Sequence, residues 1–125
     1  MGEVMITIKN IEWLDREYGE AFYTLTDGTY NLYVFQSDGF NQTIGEEFLG
    51  EFISLDADSL IQDDVDYGTT GVYHPKNGSQ ILMGELTKEG LQIGEFIFEE
   101  DLLNLPGGIN IGDYIEVTTS RVDVL

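Results

Sequence analysis

Val4, Ile6 and Ile8 alternate with Met5, Thr7 and Lys9, the period of a strand with one buried face. After Asn10 the apolar set changes parity to Ile11 and Trp13, and a β-bulge near Asn10 accounts for the change. Two aromatic and β-branched runs follow, residues 20–26 and 29–36, separated by Asp27-Gly28. That dipeptide predicts a tight hairpin in which both turn residues take positive φ. In the second run Tyr33 and Phe35 share one face and Tyr30 takes the other, so at least one aromatic of the hairpin faces away from the core. Residues 44–55 read as one long strand. Residues 56–66 are acidic, with room for a short helical turn around Ser59-Leu60-Ile61. Residues 67–79 are Gly-rich and predict a loop, and residues 80–86 and 91–98 predict strands. Pro106-Gly107-Gly108 is a turn, and residues 114–124 form the last strand. Residues 101–105 fit neither period. No stretch longer than about a dozen residues keeps helical spacing. The expected fold is mostly β: one domain over residues 1–125, a single small antiparallel β-barrel of six to eight strands with at most one or two short helical turns.

Composition narrows the function classes. The 125 residues are 42% hydrophobic and 12% aromatic, enough to fill a core and too much for a disordered acidic tail. The absence of cysteine excludes a disulfide scaffold, a Cys-ligated zinc site and a thiol nucleophile. No apolar run is long enough for a membrane-spanning helix. Twenty-four Asp and Glu stand against five Lys and Arg, a net charge of −19. Residues 1–62 carry 12 acids and 2 bases, residues 63–125 carry 12 and 3, so both halves are negative. Such a surface repels phosphate backbones and anionic membranes and attracts basic proteins. The expected partner is a basic protein, with no nucleic acid and no membrane. Plain solubility explains the same charge without any partner. The first residues show no basic, apolar leader, and the expected location is the cytoplasm.

Ile44-Gly45-Glu46, Ile93-Gly94-Glu95 and Ile111-Gly112-Asp113 repeat one small pattern at unequal spacing. The glycine permits an unusual backbone where a strand opens, and the acid faces water. An N-terminal meander, Ile44-Gly45-Glu46-Glu47-Phe48 followed by Leu55-Asp56-Ala57-Asp58, and a closing Ile111-Gly112-Asp113-Tyr114-Ile115-Glu116-Val117 with Arg121-Val122-Asp123 together resemble small acidic bacterial proteins with an OB-like β-barrel. The resemblance covers most of the chain and implies the barrel. It carries no active site and no ligand, and the basic groove that OB relatives use for single strands is missing.

Catalytic patterns are thin. His74 is the only histidine, beside Pro75, and no Gly-x-Ser-x-Gly elbow accompanies it. No phosphate-cradling loop occurs; Gly68-Thr69-Thr70-Gly71 lacks a lysine. Asp56, Asp58, Asp63, Asp64 and Asp66 are the densest set of hard oxygen ligands. Read as a calcium loop from Asp56 they fail, with Leu60 at the fifth position, Ile61 where glycine belongs and Tyr67 where glutamate belongs. They count as binding candidates on an acidic surface, not as a metal site. No catalytic residue, metal or cofactor is assigned.

Ten of the fifteen aromatics fall in residues 1–52, which places Trp13, Tyr18, Tyr30 and Tyr33 among the candidates for a partner-binding patch. The expected function is a non-catalytic protein-binding domain, in its sharpest form an inhibitor or immunity protein for a basic partner. A small-molecule or carbohydrate-binding barrel is the alternative. A carboxylate-based hydrolase comes last.

Overall fold

A computed structural model describes residues 5–37, 42–48, 50–74, 79–99, 103 and 105–124. Eleven strands form among these residues: β1 (Thr7–Asp15), β2 (Glu20–Thr26), β3 (Asn31–Gln36), β4 (Phe52–Leu55), β5 (Asp58–Ile61), β6 (Gly71–Tyr73), β7 (Gln80–Thr87), β8 (Gly90–Ile93), β9 (Phe96–Phe98), β10 (Tyr114–Thr119) and β11 (Arg121–Val124). They lie in two sheets, ordered β1-β2-β3-β11-β4 and β5-β10-β7-β8-β9, with β6 also paired to β7. Every pairing is antiparallel except β3 with β11. The core fills the space between the sheets, with Tyr23, Leu25, Leu32 and Val34 from the first meeting Leu82, Leu91, Phe96 and Val117 from the second. Phe52 bridges them: its ring centroid lies 5.8 Å from Phe48, 6.2 Å from Phe96 and 5.7 Å from Phe98.

The expected single closed barrel is not found: the strands divide into two sheets. The expected long strand over residues 44–55 is divided too. Residues 45–48 run along the free edge of β1, where Ile8 N–H donates to Glu46 O at 3.0 Å, Gly45 N–H to Ile8 O at 2.7 Å and Phe48 N–H to Ile6 O at 2.8 Å. The chain then passes Gly50 and pairs again only as β4, against β11. One stretch of chain therefore borders both sides of the first sheet, which blunts an edge that would otherwise recruit other strands.

Other expectations are corrected by tertiary pairing. Ser59-Leu60-Ile61 is strand, not helical turn, because Ser59 sits opposite Val117 and Ile61 opposite Ile115 on β10. Its buried Ser59 hydroxyl donates to the carbonyl of Leu103. Residues 114–124 are two strands in different sheets. The chain crosses over at Ser120, whose N–H donates to Leu55 O at 3.0 Å, while the Thr119 hydroxyl donates to the same oxygen at 2.7 Å. No helix forms among the described residues.

The bulge and the turns carry the local detail. Ile8 faces Leu25 but Asn10 faces Thr24, so Lys9 is the extra residue that reverses the parity of β1. Glycines of the repeated Ile-Gly-acid pattern all have positive φ: 94° at Gly45, 58° at Gly94 and 97° at Gly112. Glu46 and Glu95 are exposed, whereas Asp113 is half-buried and accepts the Asn110 N–H at 2.8 Å. The Asp27-Gly28 turn differs from the expected one. Only Gly28 has positive φ, and Asp27 is buried. Its Oδ1 accepts the N–H groups of Thr29 at 2.9 Å and Tyr30 at 2.8 Å, and its Oδ2 accepts that of Glu95 at 2.9 Å. Asp27 thus ties the β2–β3 turn of one sheet to the β8–β9 turn of the other.

Candidate functional site

The four aromatic candidates do not form one surface patch. Trp13 and Tyr30 are half-buried and pack against the core. The Arg16 guanidinium lies 5.3 Å from the Trp13 ring centroid. Tyr18 is 71% exposed in the turn after β1, and Tyr33 is 45% exposed on the outer face of β3. Tyr33 is thus the outward aromatic of the hairpin, and Phe35 lies beside it on the same face.

The acidic stretch is a solvated edge. Asp56, Asp58, Asp63, Asp64 and Asp66 are all exposed. Asp56 accepts the Ser120 hydroxyl at 2.9 Å, and Asp63 accepts the Asp66 N–H at 3.0 Å. Buried Gln62 fixes the loop that follows. Its amide nitrogen donates to Thr69 O at 2.8 Å and Ile115 O at 3.1 Å, and its amide oxygen accepts the Thr69 N–H at 3.0 Å. Among the described residues no three or more His, Asp or Glu side chains are grouped so that they could hold a metal ion.

Two depressions in the surface have a chemistry that the sequence does not announce. The first is a cleft of about 320 Å³ between β4 and β9. Its apolar lining is Ile6, Phe52 and Ile97, and its carboxylates are Glu51, Glu89, Glu95 and Glu99. All four glutamates are exposed, and none is in an ion pair among the described residues. They come from four separate places: the approach to β4, the β7–β8 turn, the β8–β9 turn and the residue after β9. β4 and β9 each end their sheet, so each has a hydrogen-bonded neighbour on one side only. Sequence reading missed this cleft because it joins residues about forty positions apart. The one available clue was Ile93-Gly94-Glu95, whose acid faces water as expected.

The second depression lies on the outer face of the first sheet. One lobe, of about 440 Å³, is lined by Asn10, Glu12, Phe22, Thr24, Tyr33, Gln80 and Arg121. Another, of about 310 Å³, shares Asn10, Thr24 and Tyr33 and adds Lys9, Asn31 and His74. Cross-strand register builds this face, since Asn10 opposes Thr24 and Thr24 opposes Tyr33. In the next row Glu12 opposes Phe22, and Phe22 opposes Phe35 with ring centroids 5.5 Å apart. His74, exposed just after β6, stacks on Tyr33 with centroids 4.3 Å apart at 33°. Loss of hydration there pushes the imidazole below its ordinary pKa, and a hydrogen bond to the Asn31 backbone offsets part of that.

Charge is poorly compensated over the molecule. Among the described residues one ion pair forms, Arg121 Nε to Asp123 Oδ1 at 2.6 Å, reinforced by Nη2 to Oδ2 at 2.9 Å. The same guanidinium lies 4.2 Å from the Phe35 ring centroid. A fold at −19 with so little internal pairing repels itself. Screening relieves that repulsion, so raising salt from low to moderate ionic strength is expected to increase the melting temperature by roughly 3–6 °C. A melting temperature independent of salt in a thermal scan would show that the carboxylates are compensated after all.

No protein-family model, curated protein or solved structure matches the chain.

Proposed function

We propose that the chain is a non-catalytic binding domain whose β4–β9 cleft receives an extended basic segment of a partner protein. The observation that carries this reading is the cleft itself: four glutamates that form no ion pair among the described residues, around an apolar floor of Ile6, Phe52 and Ile97. The carboxylates are spread along the cleft and do not converge as metal ligands would. That spacing suits several lysines or arginines in a row better than one ion. The aliphatic stems of those side chains pack on the floor while their charged ends reach the rim. The two sheet edges offer main-chain groups to a segment in extended conformation. The surrounding negative potential speeds encounter and makes it sensitive to salt. In its sharpest form such a domain covers the basic surface of its partner and inhibits it, as an immunity protein does.

The test is fluorescence anisotropy with a labelled peptide of about ten residues alternating lysine and valine, an extended-segment probe. Glu95→Lys and Glu99→Lys are each expected to weaken binding about tenfold, equivalent to roughly 1.4 kcal/mol. Asp64→Lys, on the acidic edge away from the cleft, is the control and is expected to weaken it far less. Equal losses at all three positions would mean that the peptide reads net charge, and the cleft would lose its role.

A further inference from the structure

The outer-face depression shares no lining residue with the acidic cleft, and its chemistry is different. We infer that it binds a neutral saccharide, with one ring seated on Tyr33 and its hydroxyls read by Asn10, Thr24 and Asn31.

Tyr33 is exposed but held in place. Its N–H donates to Gln80 Oε1 at 3.0 Å and its carbonyl accepts from Gln80 Nε2 at 2.7 Å, so a buried side-chain amide clasps its backbone from the second sheet. The stacked His74 ring restrains the phenol from one side. An aromatic surface fixed before binding loses little conformational freedom when a ligand settles on it. The polar groups beside it are unspent: among the described residues the side chains of Asn10, Thr24 and Asn31 make no hydrogen bond. Two amides and a hydroxyl supply donors and acceptors together, which is what a ring of hydroxyl groups requires. The Lys9 bulge turns both Lys9 and Asn10 outward onto this face, the kind of re-aiming for which bulges are used near sites.

Charge decides against ionic ligands. Lys9 and Glu12 contribute one charge of each sign to the lining, and the Arg121 guanidinium is already engaged by Asp123. The lining is therefore nearly neutral on a molecule that is strongly negative elsewhere. It offers an anion little and a cation less than the acidic cleft does. A saccharide presents an apolar C–H face to the aromatic ring and hydroxyls to the amides, and concave sites with a few placed polar groups select ligands of that build.

The experiment uses the full chain, labelled with ¹⁵N and titrated at millimolar concentration with cellobiose, maltose and chitobiose, and separately with adenosine and cytidine. At least one disaccharide is expected to shift the amide signals of Asn10, Thr24 and Tyr33 and the side-chain amide of Gln80. Tyr33→Ala is expected to reduce affinity at least about tenfold and Asn10→Ala about threefold to tenfold. The Asn10 side chain is exposed and makes no hydrogen bond among the described residues, so its variant reports on the site even where Tyr33→Ala disturbs β3. Glu95→Lys, in the acidic cleft, is expected to leave saccharide binding unchanged. Failure of all three disaccharides to shift these signals overturns the inference. So does a shift produced by the nucleosides alone, which would assign the platform to a base.

Discussion

Replacing Asp27 by alanine is expected to lower the stability of the fold by about 3 kcal/mol, and the melting temperature by roughly 10 °C. Asp27 is 8% exposed, and its carboxylate accepts three backbone N–H groups. Two of these belong to its own turn and one to Glu95 in the opposite sheet, so its removal strips acceptors from donors that are partly out of reach of water. The neighbourhood is built around it: a Cβ on Gly94 would lie 2.1 Å from Asp27 Oδ2. Asp27→Asn is expected to fall between the wild type and alanine, because an amide retains one acceptor oxygen and loses the charge. Burial raises the Asp27 pKa, but the hydrogen bonds from Tyr30, Glu95 and Thr29 outweigh it and leave the group below the ordinary aspartate value. The sign follows from linkage. The folded state holds this proton more weakly than the unfolded chain, so the stabilisation is complete above the ordinary aspartate pKa and is lost as the pH falls through Asp27's own lower value. Urea unfolding of wild type and Asp27→Ala over a pH series measures this. The gap between them is expected to be constant near neutrality and to shrink in acid. A gap independent of pH would mean that the carboxylate is not the clasp.

Gly90→Ala is expected to cost more, about 3–5 kcal/mol. Gly90 opens β8 with φ of 130°, a region closed to residues with a Cβ. A Cβ there would lie 2.0 Å from Phe98 O and 2.8 Å from Phe98 C. These are backbone atoms, so no side-chain rotation relieves the clash, and the pairing of Leu91 with Phe98 has to open. Phe98 is buried against Phe52, and β9 forms one wall of the acidic cleft, so the damage reaches core and cleft together. Gly107→Ala is the control, since its Cβ would meet nothing within 4 Å and its φ is ordinary. Chemical unfolding followed by circular dichroism compares the two. A Gly90→Ala protein as stable as Gly107→Ala would refute the close packing of β9 on β8.

Alternation along a chain conveys local structure and not its long-range partners. The bounds of β2, the Lys9–Asn10 irregularity and the outward Tyr33 follow from period-2 patterning, a local property. Asp27 was visible as a turn residue, but its third hydrogen bond comes from Glu95, and no local pattern reports a partner so far along the chain. β10 and β11 read as one strand because no Gly or Pro separates them, although the apolar set changes parity from Ile115 and Val117 to Val122 and Val124 where the chain passes between sheets. Ser59 looked helical because an isolated four-residue strand has no period of its own; its pairing with Val117 supplies the conformation. The candidate aspartates, Asp56 to Asp66, are dense along the sequence. The cleft glutamates are dense only in space, because β4 and β9 bring residues 51 and 89–99 together. His74, just after β6 of the second sheet, gains its neighbour Tyr33 of the first in the same way, through space and not along the chain.

The most direct measurement is a map of where a basic segment lands. Backbone amide spectra of the ¹⁵N-labelled chain are recorded during titration with the lysine–valine peptide at low salt. Shifts are expected to concentrate at residues 50–52, 89 and 95–99, with slowed amide exchange along β9 as its open edge is covered. Shifts centred on residues 56–66, or spread evenly over the acidic surface, would contradict the account: the domain would then attract basic proteins by charge alone, with no cleft to hold them.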